Sequence, residues 1–237
     1  MMQKDKKTAV ITYKDFIIIV LLILLPISFY KLQPTKPTCS IDQITNQSLQ
    51  VMTYNVHYFH RGFTGISETI TKLNPDLIGM QEVLIKNNVD QSRLLAKRLC
   101  YYQASSSPYV HYDHTKWVLS FLSKKPVKRM DEIRLGKNRR AFRVDVDYDG
   151  QVVTFITLHL SPYKLSGNIL KANYNRFRLR QKELWDLIKW IGTPMKRIIL
   201  LGDFNSLPFM DELKPLIRES FKDIYTDLNQ SNEGTFK

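Results

Sequence analysis

The chain has 237 residues, 43% of them hydrophobic, and a formal net charge of +13. That length and apolar content exclude a disordered tail and suit one domain with an appendage. Nine glycines and two cysteines exclude a collagen-like repeat and a cysteine-rich scaffold. Residues 1–38 carry +4, which leaves +9 on the remainder. A surface of that sign favours anionic partners such as nucleic acid, phospholipid headgroups or other phosphates. No protein partner is implied.

Residues 1–15 form a basic tail, and residues 16–30 (FIIIVLLILLPISFY) form an uncharged apolar run. A cleaved signal peptide needs a small-residue cleavage site, and nothing of the A-x-A kind follows. The run is short for a spanning helix and contains Pro26. The favoured reading is a single-pass signal anchor, with cleavage and secretion as the alternative. Four lysines before it keep the N-terminus cytoplasmic and send the rest of the chain across. Residues 31–48, with Pro34 and Pro37, read as a linker to a domain over 49–237. In an exported domain Cys39 and Cys100 could pair or stay as thiols. Asn46 and Asn229 begin N-x-S sequons, relevant only in a eukaryotic secretory pathway.

The domain alternates strand and helix patterns. Gln50 to His57 reads as a strand, and Ile66, Ile70 and Leu73 recur at helical spacing before Asn74-Pro75. Asp76 to Val83 reads as a buried strand, Leu94, Leu95 and Leu99 as a helix face, and Trp117 to Leu122 as a strand. Arg140 to Tyr148 and Val152 to Leu160 flank Asp149-Gly150, a hairpin signature. Phe177, Leu184, Leu187, Ile188 and Ile191 line a long helix that Gly192 and Pro194 end. Arg197 to Leu201 is a further buried strand, running into Gly202-Asp203-Phe204-Asn205. This order predicts an α/β fold of packed sheets with helices outside.

Buried strands end in polar groups at Asn55, Glu82, His159 and Asp203 with Asn205. Such groups are costly to bury unless paired or coordinating something. Converging at one sheet edge, they suit a hard divalent cation and a phosphate. Asp203 and Asn205, two apart on an extended segment, would point the same way.

TYN (53–55), QE (81–82), TLHLS (157–161) and LLGDFNSLP (201–209) resemble, in order and separation, the endonuclease/exonuclease/phosphatase superfamily, the deoxyribonuclease I-like fold. The resemblance covers residues 49–237 and implies a four-layer α/β/β/α sandwich of two mixed sheets with outer helices. It implies Mg²⁺, with Mn²⁺ as the alternative, held by Glu82 with Asn55 beside it. Asp203 would activate the attacking water, Asn205 would donate to the phosphate, and His159 would contact phosphate or move a proton. Arg140 or Arg143 would add a phosphate contact. The implied reaction is in-line hydrolysis of a phosphoester by metal-assisted water. Taken singly, each of these residues has a bland reading as a surface acid, a loop cap or a core histidine. His57, His60, His111 and His114 read as solvated loop histidines. No zinc motif, Gly-rich phosphate loop or nucleophile elbow competes.

The family's pattern continues past a Thr-Phe pair, here Thr235-Phe236, to a closing Ser-Asp-His, and these 237 residues contain no such tripeptide. The expectation is a sheet incomplete at the C-terminus and weak activity. The alternative is a catalytically dead, membrane-tethered binding module for anionic ligands. Lys124 to Arg143 hold nine basic residues and two acids. They form either a solvated face or a track for nucleic acid or anionic headgroups.

Overall fold

The apolar runs of the sequence pair into two mixed β-sheets in a computed structural model that describes residues 34–35, 37, 48–110, 115–136, 138–163, 168–192, 197–207 and 210–224. The expected apolar span 16–30, Cys39, both sequon asparagines, His111, His114 and Thr235-Phe236 lie outside the described residues. Among the described residues, no helix is long and apolar enough to cross a membrane.

In chain order the elements are β1 (Val51–Asn55), α1 (Phe63–Leu73), β2 (Leu77–Lys86), β3 (Val89–Asp90) and α2 (Gln91–Leu99). Then come β4 (Tyr102–Ser105), β5 (Tyr109–Val110), β6 (Lys116–Ser123), β7 (Val127–Leu135), β8 (Arg139–Tyr148) and β9 (Gln151–His159). Helix α3 (Ile169–Ile191), β10 (Ile198–Asp203) and α4 (Lys214–Arg218) complete the order. The first sheet runs β1-β2-β6-β4, with β3 on β2 and β5 on β6. The second runs β10-β9-β8-β7. Each sheet has one parallel pair, β1 with β2 and β9 with β10.

Local chemistry sets the boundaries. Asn74 ends α1 in the left-handed region at φ 45°, where the following Pro75 forbids continuation. Asp90 caps α2 by accepting from the Ser92 backbone N at 2.8 Å. Asp149 (φ 55°) and Gly150 (φ 80°) form the expected two-residue turn between β8 and β9.

Three apolar layers follow from these faces. Ile66 and Ile70 of α1 and Leu95 of α2 bury against Ile78 and Met80 of β2 and Leu122 of β6. Between the sheets, Leu77, Trp117, Leu119 and Phe121 meet Phe142, Val144, Val146, Phe155 and Leu201. Leu184 and Leu187 of α3 cover Ala141, Ile156 and Leu158. The layer order is therefore α/β/β/α. At Gly79 an added Cβ would lie 3.1 Å from Leu201 and 3.2 Å from Thr157, so a larger residue would press both side chains back by a few tenths of an ångström where the sheets approach.

Five elements were not legible from pattern alone. β3, β4 and β5 are short, α4 has five residues, and β7 (VKRMDEIRL) carries charge on an edge strand. Thr35, within the expected linker, pairs antiparallel with Gln103 on β4. Five of the nine basic residues of the stretch 124–143 pair with acids: Lys124 with Asp76, Lys125 with Asp149, Lys128 with Asp147, Arg140 with Glu132 and Arg143 with Asp145. This favours the solvated-face reading of that stretch over a continuous phosphate track.

Candidate active site

Strand ends from both sheets meet at one place. Asn55 sits opposite Gln81 in the β1–β2 pair, and Asp203 opposite His159 in the β9–β10 pair. The Asn55 amide Nδ2 donates to Glu82 Oε1 at 3.1 Å and to Asp203 Oδ2 at 3.0 Å, bridging the two sheets. His159 Nε2 lies 3.7 Å from Glu82 Oε1 and 3.8 Å from Asp203 Oδ2. One ligand-capable atom from each of Glu82, His159 and Asp203 falls within 4.8 Å of the other two.

A break in strand alternation aims Glu82. Ile78 and Met80 face the helices, so an unbroken pleat would turn residue 82 the same way. Instead the β2–β6 register shifts between Met80 and Val83, and Glu82 adopts φ 55°. This bulge leaves Gln81 and Glu82 both on the site side, and Val83 resumes the helix-facing row. Gln81 then spans the sheets, its Nε2 donating to Thr157 Oγ1 at 2.8 Å.

A second strained turn follows β1, where His57, Tyr58 and Phe59 have φ of 42°, 56° and 63°. Left-handed backbone costs about 1–2 kcal/mol per residue. The turn places the His57 backbone N 3.0 Å from Asn55 Oδ1, fixing which edge of the amide faces the acids. His57 and His60 are exposed, as expected, with their rings stacked at 5.7 Å.

The extended segment expected from Asp203 to Asn205 ends at Asp203. Asn205 takes φ 48°, because Asp203 Oδ1 accepts from its backbone N at 2.9 Å in an Asx turn. The Asn205 amide donates to the Leu160 carbonyl at 3.0 Å, tying the two loops that carry Asp203 and His159. Gly202 precedes them at φ 146°, and a Cβ there would sit 2.2 Å from the Leu158 carbonyl oxygen. Gly202→Ala is expected to destabilise the fold by about 1–3 kcal/mol and to displace Asp203. The urea midpoint and kcat measured together check this, since kcat should fall even where the variant is fully folded.

The donor set suits a hard cation. Glu82 Oε2 is shielded from solvent and has no hydrogen-bond partner. A carboxylate oxygen left in that state is unfavourable unless a cation reaches it. The two carboxylates of Glu82 and Asp203 offer oxygen ligands to Mg²⁺ or Mn²⁺, and the His159 imidazole offers a nitrogen beside them.

Of the predicted residues, Asn55, Glu82, His159 and Asp203 come together, with Asn205 one turn away. The predicted arginines are engaged elsewhere. Arg140 Nη1 donates to Glu132 Oε1 at 3.0 Å, and Arg143 reaches both oxygens of Asp145 at 3.0 and 2.9 Å. Their neighbour Arg139 is the one at the site, buried, with Nη1 3.4 Å from His159 Nδ1. Tyr109 was also missed. Burial pushes its hydroxyl pKa far up, Arg139 counters this, and Glu82 adds to it.

The sequence model of the Endonuclease/Exonuclease/phosphatase family matches residues 52–233. The chain belongs to this family. The match spans every strand of the endonuclease/exonuclease/phosphatase sheets except the first residue of β1. Among solved structures, the human Nocturnin catalytic domain with bound sulfate anion is similar at TM-score 0.60 and 19% identity, over 86% of this chain and 79% of that one. D. rerio TDP2 complexed with a single-strand DNA product is similar at TM-score 0.56 and 20% identity, over 77% and 71%. Sphingomyelinase C from Streptomyces griseocarneus is similar at TM-score 0.55 and 17% identity, over 73% and 70%. At these identities the likeness is one of fold. No curated protein matches the chain.

Proposed function

We propose that this chain is a divalent-metal-dependent phosphoesterase that hydrolyses phosphodiester bonds. The observation that carries the reading is the convergence of Glu82, His159 and Asp203, with Glu82 Oε1 toward the imidazole and its Oε2 buried without a hydrogen-bond partner. Glu82 would hold Mg²⁺ or Mn²⁺, with Asp203 and Asn55 beside it. When bound, the cation supplies charge to a phosphate oxygen and lowers the barrier to attack by water. Asp203, with its side chain 30% exposed, orients the water and takes its proton. His159 presents Nε2 to a phosphate oxygen, while Arg139 steadies the ring from the Nδ1 side. Asn55, already donating to both acids, holds them apart at a fixed spacing.

The substrate is a phosphate ester of nucleic acid or of a phospholipid headgroup, the two classes named for the TDP2 and sphingomyelinase structures. Asp203→Asn is expected to lower kcat on bis(p-nitrophenyl) phosphate with Mg²⁺ by about 10²–10⁴-fold. Unchanged turnover in that variant contradicts the assignment. If the chain binds anionic ligands without turnover, the binding-module reading takes its place. Residues 16–30 are proposed to anchor the chain with its domain outside the cytoplasm, and protease protection in sealed vesicles checks that orientation.

A further inference from the structure

Helix α2 carries a surface that the metal site does not use. Its Leu95 and Ala96 are buried, while Arg93, Leu94, Lys97 and Arg98 are exposed on the opposite side, Leu94 by 44%. The β2–β3 hairpin directly before the helix adds exposed Lys86 and Val89. Asp90, the acid of this segment, is turned inward. Its Oδ1 caps the Ser92 backbone N, and its Oδ2 accepts from Gln103 Nε2 at 3.0 Å. Among the described residues, Lys86, Arg93, Lys97 and Arg98 have no acid at ion-pair distance, whereas five bases of 124–143 do. The helix dipole accounts for Lys97 and Arg98 in the last turn, but it opposes Arg93 in the first.

We propose that the outer face of α2, with the tip of the β2–β3 hairpin, docks on the anionic headgroup surface of the bilayer that holds residues 16–30. The chain's own connection selects this partner. Thr35 N donates to the Gln103 carbonyl at 2.8 Å, and Gln103 N donates back to the Thr35 carbonyl at 3.2 Å. Gln103 is the residue whose side chain reaches Asp90, the cap of α2. Tyr30 ends the apolar run five residues before Thr35. At no more than ~3.6 Å per residue, that connection spans about 18 Å at most. On the anchor reading of residues 16–30, on which this docking rests, the start of α2 is therefore held close to the headgroups. Four bases without acid partners meet lipid phosphates there, and a polybasic surface gains affinity with each such contact. Leu94 and Val89 enter the headgroup layer between them, as the apolar residues of an interfacial helix do.

The test uses the full chain carrying Leu94→Trp, reconstituted in vesicles of acyl-brominated phosphatidylcholine with or without phosphatidylserine. Bromine quenches a tryptophan that reaches the bilayer, and the signal is read as the excess over the parent chain. The added tryptophan is expected to be quenched in the anionic vesicles, and to lose that quenching at high salt or without phosphatidylserine. Arg93→Glu with Lys97→Glu should abolish it, Arg98 being left in place because it lies over the Phe63 ring at 5.9 Å. Ile217→Trp, at a 63% exposed position of α4 in the other helix layer, should show no excess quenching. No quenching of Leu94→Trp, quenching of equal size without phosphatidylserine, or quenching untouched by the charge reversal overturns the proposal. An emission change with single-stranded DNA and none with vesicles overturns it in favour of nucleic acid. Alkaline carbonate separates the two readings. A chain that carbonate strips from the vesicles, yet that is quenched before stripping, keeps the α2 face and refutes the anchor. A chain that resists carbonate without quenching keeps the anchor and refutes the docking.

Discussion

Glu82→Gln is expected to abolish metal-dependent turnover while leaving the apo fold at least as stable as before. The substitution keeps the side chain's shape and its bond from Asn55 Nδ2, and removes one charge from a pair of carboxylates sharing that donor. In the absence of a cation, the unpartnered Glu82 Oε2 is a liability, so its loss does not weaken the fold. With a cation the sign reverses. Loss of groups that merely orient a metal ligand costs 10–100-fold, so loss of the ligand itself should exceed about 100-fold in activity. A ligand at 100 times its Kd stabilises a fold by about 2.7 kcal/mol, and that Mg²⁺-dependent rise in Tm should vanish in the variant. Scanning calorimetry with and without Mg²⁺ checks both halves. A Mg²⁺ shift that persists in Glu82→Gln would place the cation elsewhere.

Arg180→Met carries the largest expected cost to stability. It leaves Glu212 charged and without its guanidinium partner where neither side chain meets solvent. Removing one member of such a pair costs about 3–5 kcal/mol, while replacing both can be neutral. Arg180→Met with Glu212→Gln should therefore recover much of the loss. The damage reaches the site, because Arg180 also holds the Ser161 carbonyl, and Glu183 holds the Ser161 N and Oγ at 3.0 and 2.7 Å. Burial pushes the Glu183 carboxyl above its ordinary range, against the pull of those Ser161 bonds and of Arg139 and Arg180. The loop after His159 thus hangs on a buried charged network. Urea unfolding of the single and double variants tests it, and a single-variant loss below about 1 kcal/mol would contradict the burial of the pair.

The sequence carried the fold further than the site's geometry. Alternation and helical spacing placed the hairpin, the long helix and the strands that carry Asn55, Glu82, His159 and Asp203, because each has a long apolar face. β7 escaped because an edge strand tolerates charge on its open side, so its lysines and arginines mask the pattern. The site residues were legible as types at strand ends. Their aim was not, since it depends on a bulge at Glu82 and an Asx turn at Asp203 that periodicity does not encode. The arginines show the same limit. The β8–β9 ladder stops at Ala141 opposite Leu158, one step short of setting Arg140 across from His159, so strand-end geometry rather than alternation brings Arg139 to the imidazole. The buried Arg180–Glu212 pair joins positions 32 apart in the chain and left no local signal.

The most direct test is a Mn²⁺ titration of the full chain, read by electron paramagnetic resonance. One Mn²⁺ should bind per chain, Mg²⁺ should compete for it, and Glu82→Gln should abolish the bound signal. A chain that binds no Mn²⁺, or a Glu82→Gln variant that binds it undiminished, would contradict a cation held between the two sheets.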